Sequence, residues 1–152
     1  MNYSTRTVLF VGLFFFTSLL HAQQATREAT VYKDPNCGCC SGWVSHLREN
    51  GFSVTEVKVD NIESYKEKYG VPANLGSCHT AVINGYVVEG HVPAADILKL
   101  LEQHPDVTGL TVPGMPVGSP GMEVGDRKDP YDVLTINRDG TTTVFNSYNK
   151  TE

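Results

Sequence analysis

Apolar and polar positions change period several times along this chain, and each change marks an element. Thr30-Val31-Tyr32-Lys33 is short and β-prone, and it runs into the turn signal Asp34-Pro35-Asn36. Trp43, Val44 and Leu47 then recur at helical spacing, with Gly51 placed to end that helix. From Phe52 to Val59 the pattern returns to alternation with one slip in phase, which predicts a strand. A second helix fits Ile62 to Tyr69, stopped by Gly70 and Pro72, and its mostly charged face predicts a peripheral position. Thr80-Ala81-Val82-Ile83 and Tyr86-Val87-Val88-Glu89-Gly90 flank Asn84-Gly85, the strongest short hairpin signal. Pro93 suits a first helical turn, Ile97, Leu98, Leu100 and Leu101 give that helix an apolar face, and Pro105 closes it.

Residues 106–130 break the pattern. Gly109, Pro113, Gly114, Pro116, Gly118, Pro120, Gly121 and Gly125 crowd a stretch with neither helical nor strand period. It is expected as one long irregular loop, and such loops in a compact domain are functional or disordered. It holds a small repeat, Pro113-Gly114-Met115 and Pro120-Gly121-Met122. Val133-Leu134-Thr135-Ile136, a turn at Asp139-Gly140, and Thr143-Val144-Phe145 predict a terminal hairpin.

Strand, helix, strand, helix, strand, strand, helix is the thioredoxin-fold order. The first two strands pair in parallel across a crossover helix, and the hairpin adds an antiparallel pair. The expected class is therefore α/β: a three-layer thioredoxin-like fold, a mixed sheet with helices on both faces. Its core spans about residues 30–105, followed by the Pro/Gly/Met loop at 106–130 and a β-hairpin extension at 131–148.

The N-terminus changes the setting. Arg6, an apolar run from Val8 to Phe16 continuing to Leu19-Leu20, and Leu20-His21-Ala22 read as a cleaved secretory signal of residues 1–22. An uncleaved anchor is the alternative. Cleavage leaves 130 of 152 residues, 23–152, as one ordinary domain. Removing Arg6, the one charged side chain of the leader, takes the formal net charge from −5 to −6. So acidic a chain argues against nucleic acid and anionic membrane as partners.

All four cysteines, Cys37, Cys39, Cys40 and Cys78, lie in the mature chain. In an oxidising compartment two disulfides are open to them, with three connectivities. Cys37 and Cys40 have thioredoxin-type spacing at the expected turn between first strand and first helix, so a redox dithiol is a second option. A metal site is the third, and the crowding favours it: a bridge between neighbours Cys39 and Cys40 is strained, and three clustered sulfurs staple little chain. Thiolates at a helix N-terminus are stabilised by its dipole and free N–H groups. Gly38 lets the loop curl so that sulfurs converge into a soft ligand set suited to Cu(I), zinc or iron–sulfur, with zinc fitting the spacing less well. His79 falls where thioredoxins carry a proline facing the dithiol, which would bring Cys78 opposite the cluster. His79 and His91 are candidate additional ligands, His91 at the same rim or merely at the surface. Met115 and Met122, in a flexible loop, suit soft Cu(I), or simply pack the loop. His46 is expected to pack or face solvent, and Trp43 to lie in the core.

Tyr32-Lys33-x-Pro35-x-Cys37-Gly38-Cys39-Cys40-x-x-Trp43 is followed by Gly70-Val71-Pro72 and Ser77-Cys78-His79-Thr80-Ala81. Glu89-Gly90-His91-Val92-Pro93 and Pro113-Gly114-Met115-Pro116-x-Gly118-Ser119-Pro120-Gly121-Met122-Glu123 complete the set. Together they resemble the CopG-like family of periplasmic copper-resistance proteins, over nearly the whole mature chain. The resemblance implies a thioredoxin-like domain in the bacterial periplasm that binds copper, as several ions, through Cys37, Cys39, Cys40 and Cys78. It implies a role in copper tolerance, exchange with other periplasmic copper-handling proteins, and interconversion of Cu(I) and Cu(II). The alternative function is a thiol–disulfide oxidoreductase using Cys37 and Cys40.

Overall fold

The computed structural model describes residues 27–150. The expected export signal, residues 1–22, lies outside the described residues. Seven strands form one mixed sheet: β1 (Glu28–Lys33), β2 (Ser53–Lys58), β3 (His79–Ile83), β4 (Tyr86–Glu89), β5 (Gly109–Thr111), β6 (Tyr131–Ile136) and β7 (Thr142–Tyr148). Their order is β2-β1-β3-β4-β5-β6-β7. Three helices accompany them, α1 (Gly38–Glu49), α2 (Ile62–Lys68) and α3 (Ala94–Gln103), with a 3-10 turn at Ala73–Leu75. No helix of the described residues is long and apolar enough to cross a membrane.

β1 and β2 run parallel across α1, and β3 and β4 form the antiparallel hairpin, so the thioredoxin-like order is present. Asn84 and Gly85 both take positive φ, 48° and 85°, as a two-residue turn matched to strand twist requires. α1 and α3 cover one face of the sheet. Trp43, Val44 and Leu47 from α1 and Ile97 and Leu100 from α3 bury completely against Val31, Ala81, Val88 and Leu110. α2 lies on the other face, where Tyr65 stacks on Tyr32 at 4.5 Å between ring centroids.

One expectation is corrected. The stretch 106–130 is not loop throughout: Gly109–Thr111 forms β5, parallel to β4 and antiparallel to β6. Squeezed between two strands and buried on both faces, it shows no alternation, and a Cβ on Gly109 would lie 1.7 Å from the Val87 carbonyl oxygen. The terminal hairpin therefore continues the main sheet through β5. α2 is peripheral as expected, but its charged surface hides a buried lysine, Lys66, paired with fully buried Glu89 at 2.6 Å. Spacing along one helix does not reveal an ion pair made with a distant strand.

Candidate metal centre

The cysteine run sits where β1 hands over to α1. Asp34 Oδ1 accepts from Asn36 N and the Asp34 carbonyl from Cys37 N, closing the turn. Cys37 is the N-cap of α1, and its sulfur accepts from the Cys40 amide at 3.3 Å. One turn of helix then stacks the three sulfurs on the same end. Cys37 and Cys40 are bonded to each other, and Cys39 and Cys78 are free. Of the pairings open to the four cysteines, this state holds the one of thioredoxin type, with two sulfurs in a disulfide.

Cys78 enters from the opposite side, on the segment that leads into β3. The Cys39 sulfur lies 3.4 Å from that of Cys37 and 3.9 Å from that of Cys78. The Cys40 sulfur is 3.6 Å from the Cys78 carbonyl oxygen. The four ligand sulfurs all fall within 4.8 Å of one another, as do Cys78 with His79 and His91. Cys78 is common to both groups.

Both histidines are fully buried, so the surface alternative for His91 fails, and its ring faces the cluster at Cys78. His91 Nδ1 sits 2.8 Å from the Pro120 carbonyl. A carbonyl only accepts, so Nδ1 carries the proton and Nε2 presents a lone pair to the Cys78 sulfur at 3.1 Å. His79 Nδ1 is 3.3 Å from the same sulfur, and its Nε2 is buried with no hydrogen-bond partner. The His79 ring packs on Trp43 at 4.4 Å, and Trp43 is fixed by its own Nε1–H bond to the Val92 carbonyl. His79 thus fills the place of a groove proline with a ring wedged into the core.

Burial sets the protonation here. The loss of water pushes Cys78 up to about 12, and neighbouring Cys39 pushes it the same way. Burial holds His91 down and His79 well below the usual imidazole value, in the latter case reinforced by His91 and Lys66. The metal-free centre is a protonated thiol beside neutral imidazoles. His46 serves packing: its Nε2 accepts from Ala94 N at the head of α3, 3.0 Å away.

The strap between β5 and β6, residues 112–130, crosses this end of the molecule and touches both sides of the cluster. Ser77 Oγ donates to the Gly114 carbonyl beside Cys78. At the other repeat, Gly121 lies against α1: a Cβ there would meet Trp43 N at 2.5 Å and the Cys39 carbonyl at 2.8 Å, and its φ is +83°. Met115 and Met122 therefore leave turns docked on either side of the sulfurs. Met115 is half exposed.

Sequence reasoning missed three contributors: the Pro120 carbonyl that sets the His91 tautomer, the close approach of Gly121, and the buried Glu89. The signal available for Glu89 was a charged residue ending an apolar strand. The donor set of thiols and neutral imidazoles, with one imidazole nitrogen buried and unpartnered, fits a soft or borderline metal ion and copper in particular.

Fold and site together define a thioredoxin-like protein with a sulfur–imidazole centre at the head of its first helix. A family model described as "Protein of unknown function, DUF411" matches residues 75–122, which include Cys78, His79, His91 and both Pro-Gly-Met turns. Two solved structures, Form 1 and Form 2 of copper resistance protein CopG, are similar over most of the chain. Each is 52% identical and covers 82% of this chain. The match spans 98% and 100% of those chains, with TM-scores of 0.78 and 0.79. No curated protein sequence matches this one. The chain belongs to the CopG family of copper-resistance proteins.

Proposed function

We propose that this protein binds copper in the periplasm and contributes there to copper tolerance, after export directed by residues 1–22. Once reduced, Cys37, Cys39, Cys40 and Cys78 offer thiolates to Cu(I), as one ion or a multi-copper cluster. His79 and His91 add nitrogens on the Cys78 side, and Met115 and Met122 close the site from the strap. Copper ions are the cargo, exchanged with other periplasmic copper-handling proteins. The observation that carries this reading is the convergence of four sulfurs and two imidazoles on Cys78.

The disulfide supports a redox role. Opening the Cys37–Cys40 bond takes up two electrons and frees two thiolates. Oxidising two Cu(I) to Cu(II) supplies two electrons, so the bond and a pair of ions balance. Cys78 must lose its proton to act as a ligand, so binding releases protons and strengthens as pH rises.

The test loads the reduced mature protein with Cu(I) and compares it with a Cys37→Ser/Cys39→Ser/Cys40→Ser variant. The variant should lose Cu(I) binding in competition with a chelator, and equal binding by both proteins would overturn the proposal. A second reading, a thiol–disulfide oxidoreductase, is favoured by the bonded Cys37–Cys40 pair at the helix cap. It requires disulfide exchange that survives Cys39→Ser/Cys78→Ser.

A further inference from the structure

Glu89 lies outside every sulfur contact, yet it is fully buried and accepts hydrogen bonds from three different segments. Its Oε1 receives Lys66 Nζ from α2 and the backbone N–H of Ser77, each at 2.6 Å. Its Oε2 receives Thr80 Oγ1, also at 2.6 Å. Lys66 Nζ reaches Thr80 Oγ1 as well, at 3.3 Å. The two residues that this carboxylate grips, Ser77 and Thr80, are those on either side of Cys78-His79.

A buried ion pair is weak evidence of stability, because desolvating two charges offsets their attraction and a well-packed apolar pair often does as well. What a carboxylate can do and an apolar side chain cannot is fix two donors of the backbone segment in register. Pinned at 77 and 80, the chain between them has little freedom, and strand alternation sends His79 to the opposite face, onto Trp43. The residues that follow complete the same device. Gly90 donates to the His79 carbonyl at 3.1 Å and takes φ +72°; a Cβ on it would lie 2.6 Å from both Ser77 Cβ and the Val112 oxygen. Only a glycine lets the strand end pass so close to Ser77, and the next residue is His91, whose Nε2 faces Cys78.

We infer that Glu89, held by Lys66 and read through Thr80 and Ser77, is a positioning residue that sets Cys78 and His79 in their metal-binding geometry. This deepens the copper reading and rests on it for its purpose, though not for its geometry. Loss of the clamp frees the Cys78 segment while leaving Cys37, Cys39 and Cys40 where α1 puts them.

The experiment uses Thr80→Val, which removes one donor without changing side-chain shape, Thr80→Ser, which restores the hydroxyl, and Glu89→Gln. In the metal-free oxidised protein only Cys39 and Cys78 are free to react. Their alkylation by iodoacetamide is followed separately by peptide mass analysis, and urea midpoints report the fold. Thr80→Val should raise the Cys78 rate severalfold with Cys39 unchanged, and Thr80→Ser should return it to the wild-type value. In the reduced proteins, Thr80→Val and Glu89→Gln should weaken Cu(I) binding by about tenfold or more, the usual effect of losing an outer-shell partner. An unchanged ratio of Cys78 to Cys39 alkylation in folded Thr80→Val overturns the clamp whatever the copper result. A shifted ratio in a protein whose wild type fails to bind Cu(I) upholds the clamp and overturns the copper reading alone.

Discussion

The two faces of the sheet are one residue apart in sequence and opposite in chemistry. A row across four strands reads Val31, Ala81, Val88, Leu110, all fully buried beneath α1 and α3. The next row reads Tyr32, Thr80, Glu89, Thr111, and faces α2. The first row has no directional bonds to satisfy and contributes through burial and packing. The second is a network in which every group has a named partner: Glu89 with Lys66 and Thr80, Thr111 with the Leu75 carbonyl, Tyr32 with Tyr69. The apolar face supplies stability, and the polar face supplies placement of the segment that carries Cys78.

The strongest challenge to that division is Trp43→Ala, on the apolar side. It empties a fully buried position between α1 and His79, and should cost about 3–5 kcal/mol in urea unfolding. A loss below about 1 kcal/mol would show that the apolar face does not carry the fold. On the polar side, Lys66→Met strands the Glu89 charge and should cost on the order of 3 kcal/mol. Lys66→Met/Glu89→Leu should recover most of that stability while Cu(I) affinity stays about tenfold down. If the double variant recovers both, the two faces do the same job and the comparison fails.

The gentlest probe is pH. His79 and His91 have folded-state pKa values below the free imidazole value of 6.5, so the unfolded chain binds their protons first on acidification. Their contribution is whole above pH 6.5 and is lost as pH falls through the folded values. Cys78 works in the other direction: raised from 9.0 to about 12, it contributes below pH 9.0 and loses that contribution as pH climbs toward 12. The thermal midpoint of the metal-free protein should therefore be highest between those limits. A midpoint no lower at about pH 5 than at about pH 7 would contradict the burial of the two imidazoles.

Much of this was legible in the chain. Asn84-Gly85 announced its hairpin because few residue pairs accept two positive φ values, and Trp43, Val44 and Leu47 announced α1 because one helical face is apolar. The meeting of Cys78 with the first cluster followed from strand order. β5 was hidden because three residues buried on both faces carry no period, and they lie in a stretch crowded with turn formers. The pairing of Cys37 with Cys40 was one of several that spacing allowed. Lys66 and Glu89 stand 23 positions apart, and nothing local in either segment marks the other as its partner.

The strap leaves the sheet from β5 and returns in β6, and those strands are hydrogen-bonded neighbours. Its two ends are staggered: Thr111 pairs with Leu134, and the strap returns three residues away along β6, at Tyr131, an offset of roughly 10 Å. The entropy of closing such a loop grows only with the logarithm of its length, so inserted residues weigh little on folding. What fixes the cover over the sulfurs is the pair of backbone dockings at Gly114 and Gly121. Between those two buttons Ser119 is buried and the Pro120 carbonyl holds His91, so the spare cloth is the exposed stretch 124–128 beyond them, which can change its side chains while the seam over the sulfurs stays closed.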